Sequence, residues 1–165
     1  MIRTVLAVLV GVALLATALP ALEDARVQST HEEFESMATE VTRTAAELES
    51  GSTAVTDREL AARTTIRLGL PTGFDSAPIR TAAIGCPSAV LDVEQADPGG
   101  CNAALVYRLR GGDATVRRFP GVDVRALNGP IRLSGSPGRF RLRYVRVGNA
   151  SVVELVDVDS VGTET

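Results

Sequence analysis

The sequence predicts an α+β protein: a long N-terminal helix, membrane-spanning and then amphipathic, followed by a small antiparallel β-sheet or sandwich domain. Three observations predict it. Thr4 to Leu22 carries no charge, a run of about 19 helical residues that rises close to the ~30 Å of a hydrocarbon core. From Val27 to Leu48, apolar or small residues recur in alternating steps of four and three, which is the period of a helix seam. From Thr64 onward the period changes to two, and turn residues cut the chain into short runs. A chain of 165 residues has room for one domain with an appendage. The expected divisions are an anchor over 1–22, a stalk helix over 23–50, an extracytoplasmic β-rich domain over 57–158 and a frayed tail over 159–165.

The anchor is expected from its flanks as well as its length. Arg3 precedes the run, and Glu23, Asp24 and Arg26 follow it. The positive-inside rule then places the N-terminus in the cytoplasm and the remainder outside, a single-pass protein of the cell membrane with the lipid bilayer as its first partner. Two other readings stay open. A cleaved secretory signal would use the same basic start and apolar stretch, with small residues at Ala16, Ala18 and Ala21. A buried core helix is the third. Pro20 is expected to kink the helix near the membrane surface.

The stalk seam consists of Val27, His31, Phe34, Ala38, Val41, Ala45 and Leu48, with Glu32, Glu33, Glu35, Glu40, Arg43, Glu47 and Glu49 on the other faces. Gly51 is the expected stop. So regular a seam is buried against something, either a partner helix or the chain's own β domain; the partner helix is the reading taken forward. His31, the single histidine, is read as a packing residue on that seam.

The stretch VLAVLVGVALLATALPALEDARVQS resembles the N-terminal helix of type IV pilins and pilin-like proteins. Gly11, the step Ala18-Leu19-Pro20-Ala21 and the pair Glu23-Asp24 carry the resemblance. The layout is similar too, one long helix and a small β-rich head. A basic leader ending in Gly or Ala and the acidic residue near the mature pilin start are absent, with Arg3 in that neighbourhood. The resemblance therefore implies an accessory or assembly component of a pilus or secretion-type apparatus, including the small membrane proteins of archaeal pilus machinery. The protein partners it implies are other components of such an apparatus.

In the β domain, Thr56-Asp57-Arg58-Glu59 fits a capping box and predicts a helical turn through Arg63. Strands are expected at Thr65–Leu70, Ile79–Ile84, Ala103–Leu109, Ala114–Phe119, Val122–Leu127, Ile131–Leu133, Arg139–Val147 and Ser151–Val158. Gly111-Gly112-Asp113 and Gly148-Asn149 read as hairpin turns. In the seventh run Arg139, Arg141 and Arg143 share one face and Phe140, Leu142 and Tyr144 the other. That face is either a basic binding stripe or, as preferred, a solvated surface paired with Glu154 and Asp157.

Cys86 and Cys101 bracket a loop rich in turn residues at facing ends of two expected strands, so a disulfide is expected between them. Asn149-Ala150-Ser151 is a possible N-glycosylation sequon. The net charge is −3, and all 17 basic residues are Arg. That balance argues against a nucleic-acid partner and resembles proteins of salt-loving archaea or actinobacteria. With one His and no CxxC pair, no metal site is expected, and no cofactor. No GxSxG elbow or P-loop is present, and a nucleophile system would have to recruit His31 from the stalk. No catalytic residue is therefore named. The rival to the pilin-like reading is a secreted or surface-exposed β-rich binding module released by signal cleavage.

Overall fold

The computed structural model describes residues 2–91 and 101–158. α1 (Ile2–Gly51) is a single unbroken helix. The expected stop falls in place: the Ser52 hydroxyl donates to the Leu48 carbonyl, satisfying one of the carbonyls a helix end leaves open. On its exposed face Arg43 bridges Glu40 at 2.7 Å and Glu47 at 2.8 Å, the spacing at which helical side chains meet. The chain runs through Pro20 without leaving the helix.

The single-pass membrane topology is corrected by this structure. Among the described residues no helix is long and apolar enough to cross a membrane.

Eight strands follow among the described residues: β1 (Arg63–Leu68), β2 (Ile79–Gly85), β3 (Ala104–Leu109), β4 (Ala114–Arg118), β5 (Val124–Ala126), β6 (Ile131–Arg132), β7 (Gly138–Val147) and β8 (Ala150–Asp157), with a one-turn helix α2 (Pro87–Val90) after β2. They form two four-stranded sheets, in the orders β1-β7-β8-β5 and β4-β3-β2-β6. Both expected hairpins form. Gly111 turns β3 into β4 at φ +82° and Gly148 turns β7 into β8 at φ +60°, a backbone region that glycine enters without steric cost. One pairing departs from the antiparallel expectation: β5 runs parallel to β8. Two strands intervene between them in the chain, so no hairpin fixes their relative direction. The expected helical turn at Thr56–Arg63 is instead an Asx turn, in which the Glu59 N–H donates to Asp57 Oδ1 at 2.8 Å. The Asp side chain captures the local donor and the chain turns without propagating a helix.

The sheets face each other across a core of alternate residues: Ile66 and Leu68, Ala82 and Ile84, Leu105, Tyr107 and Leu109, Phe140 and Leu142, Val153 and Leu155. The second half of α1 belongs to that same core through Phe34, Ala38, Val41 and Ala45. It touches β1 and β7 of one sheet and β3 and β4 of the other, so it fills the side of the sandwich between the β1 and β4 edges. A smaller cluster lies on the outer face of the first sheet, where Val55 and Ala61 cover Val145 and Val152.

Candidate interaction site

The seam residues are brought together, but against the chain's own sheets. Phe34, Val41 and Ala45 are fully buried and Ala38 nearly so, with Leu48 partly buried against them. This corrects the partner-helix reading of the seam. Periodicity reports that a face is buried and not by what, and here the β domain supplies the cover. Val27, at 38% exposed, lies at the outer limit of the packing.

Polar contacts fix where the helix leaves the head. Thr30 is fully buried; its hydroxyl donates to the Arg26 carbonyl at 2.8 Å and accepts the Ala77 N–H at 2.7 Å. The hydroxyl thus gives the buried Ala77 N–H an acceptor, where leaving that donor unpaired would be costly. His31 Nδ1 shares a hydrogen bond with the Tyr107 hydroxyl at 2.5 Å. The Tyr107 ring stacks on Phe34 at 4.0 Å between centroids and 18° between planes. Thr30 and Tyr107 were not singled out by the sequence reading. The scarcity of aromatics could have drawn attention to Tyr107; Thr30 gives no signal before its partner Ala77 is known.

The first half of α1 has the opposite character. Val5, Leu6, Val8, Leu9, Val12 and Leu14 are 58–65% exposed. A Cβ built on Gly11 would meet nothing within 4 Å, which leaves a notch on the helix surface. This half of the helix therefore presents a stretch of exposed apolar surface larger than scattered single residues give.

The arginine face of β7 is an anchored surface. Arg143 lies opposite Glu154 on β8, and Glu154, 3% exposed, accepts from Arg58 Nε at 3.0 Å and Nη2 at 2.8 Å and from Arg143 Nη2 at 3.5 Å. Arg58 reaches this carboxylate from the Asx-turn segment and clamps it against the sheet. Hydrogen bonding to Glu154 raises the Arg58 guanidinium above its ordinary range. Asp157 lies opposite Phe140 and so off the arginine face.

Cys86 and Cys101 form the expected disulfide, with Cα atoms 5.7 Å apart. The turn residues Asp97-Pro98-Gly99-Gly100, like the expected tail over 159–165, lie outside the described residues. Asn149 stands exposed at the tip of the β7–β8 hairpin. Among the described residues no group of three or more His, Cys, Asp or Glu is placed to hold a metal ion.

These features define a class: an α+β protein whose β sandwich is closed by a helix that continues outward as an exposed apolar shaft. The chain belongs to the family described as "Domain of unknown function (DUF7311)", which matches residues 1–158. No curated protein and no solved structure matches it.

Proposed function

We propose that the chain is a non-catalytic structural or assembly subunit of a pilus- or secretion-type apparatus. The first half of α1 packs laterally against the equivalent apolar helix of neighbouring subunits, and the β sandwich is the displayed head. The observation that carries this reading is the division of α1: its second half is core, and its first half exposes large apolar side chains. Burying one such Val or Leu against a neighbour contributes about 1.5–3 kcal/mol, and Gly11 allows close approach of helix backbones. The pilin-like pattern of Gly11, Pro20 and Glu23-Asp24 supports the same reading. His31 is engaged with Tyr107, which agrees with a non-catalytic role.

The test is a full-length Leu9→Glu variant, compared with the parent by chemical crosslinking in its native cells. Loss of crosslinked assemblies with an unchanged melting temperature supports the proposal. Assemblies that persist at parental levels refute it.

A second reading, a β-rich binding module released by signal cleavage, has one observation in its favour. The first buried residue described on α1 is Thr30, so cleavage near Ala21 would leave the core intact. An N-terminal sequence beginning after Ala18 or Ala21 would establish it. The disulfide suits an oxidising compartment in either case.

A further inference from the structure

The outer face of the second sheet carries a feature that neither the shaft nor the core explains. The β2–β3 register sets Arg108 opposite Thr81 and Val106 opposite Ala83, and the β2–β6 register sets Arg132 opposite the same Ala83. Regular alternation would send Arg80 to the other face. The β2–β3 pairing is irregular between Ile79 and Thr81, and such an irregularity re-aims the side chain within it. Arg80, Arg108 and Arg132 consequently line one groove of about 590 Å³, floored by Thr81, Ala83 and Val106. Among the described residues no carboxylate lines it. Among the described residues none of these three arginines has an ion-pair partner, although the chain as a whole is acidic.

We propose that this groove is a binding site for an acidic peptide segment of a partner protein. Guanidinium groups form bidentate, charge-assisted hydrogen bonds with carboxylates, and clusters of them recur as readers of acidic motifs. The floor favours a peptide over a simple ion. Half-buried Leu70, Ala89, Val90 and Leu91 also line it, an apolar surface that suits the small side chains and backbone between acidic positions, while Arg is enriched where such surfaces meet partners.

The experiment is fluorescence anisotropy with a labelled hexaglutamate peptide on the full-length chain, at low and high salt. The comparison set is the parent, Arg108→Gln, Arg132→Gln, the triple variant Arg80→Gln/Arg108→Gln/Arg132→Gln, and Arg43→Gln as a control on the helix. Each groove substitution should weaken binding about tenfold, the triple variant should abolish it, and Arg43→Gln should leave it unchanged. Parental binding should fall with salt. The groove variants should melt with the parent, since among the described residues their side chains have no ion-pair partner. Peptide binding retained by the folded triple variant overturns the proposal, as does absence of binding by the parent. Inorganic pyrophosphate binding more tightly than the peptide would assign the groove to a phosphate ligand and also overturn it. Binding that emerges only when Asp92, Glu94 and Asp97 are replaced by their amides would identify this chain's own acidic segment as the occupant, again against a partner peptide.

Discussion

Replacing Phe34 by alanine separates a helix that belongs to the head from one that merely lies beside it. Phe34 is fully buried among residues from both sheets and stacks on Tyr107. Truncating a phenyl ring in such a place costs about 3–5 kcal/mol, within which the lost aromatic pair accounts for about 0.5–1.5 kcal/mol. For a chain of this size each kcal/mol moves the melting temperature by about 2–4 °C, so Phe34→Ala should melt roughly 6–20 °C below the parent. Circular dichroism melts of the full-length protein provide the measurement. Phe34→Leu keeps most of the volume and should lose about 1.5 kcal/mol or less. A Phe34→Ala protein that melts within about 2 °C of the parent but loses its assemblies would show that the seam faces a partner, and the packing argument would fail.

Three further perturbations probe other parts of the molecule. Arg58→Ala removes the principal partner of the buried Glu154 carboxylate; because Arg58 is itself about half exposed, the cost should sit near 1 kcal/mol, the lower end for a charge-assisted bond. Glu154→Gln in that background should recover part of it, and denaturant midpoints across the double-mutant cycle read the coupling. The double variant Cys86→Ala/Cys101→Ala frees a loop of 15 residues and should lose about 3 kcal/mol; alkylation of the unreduced, denatured parent should label neither cysteine. Burial first, and the Asp123 carboxylate second, hold Glu49 above its ordinary value. A raised folded-state value means the protonated form is favoured on folding, so stability is full below the unfolded value and declines as pH rises through the folded one. Glu49→Gln should therefore melt higher than the parent at pH 7, and the gap should close as pH falls below about 4; a gap that widens in acid would contradict the assignment.

Much of the fold is legible where a local rule suffices. The four-three spacing from Val27 to Leu48 locates the buried face of α1, the alternation in Arg139–Val147 separates Phe140 and Leu142 from the arginines, and the glycines at 111 and 148 mark two hairpins. What the sequence could not supply was the far partner. Phe34 has the same period whether it meets Tyr107 or another subunit, and Arg58 lies 96 residues from the carboxylate it clamps. Strand direction was similarly hidden at β5, which is too short for its pattern to choose a neighbour. The membrane expectation is corrected by the described residues, among which no helix is long and apolar enough to cross a bilayer. The groove arginines escaped notice because two of them are isolated in sequence and the third faces outward only through a break in strand pairing.

The continuity of α1 has a mechanical consequence. Residues that build the head's interior and residues that form the shaft lie on one helix with no linker between them. Tension applied at the N-terminus therefore cannot be relieved by stretching a tether; it must slide Phe34, Val41 and Ala45 along the sheets, against many dispersion contacts at once. A twist of the shaft, for the same reason, is delivered directly to the strands and turns the head with it.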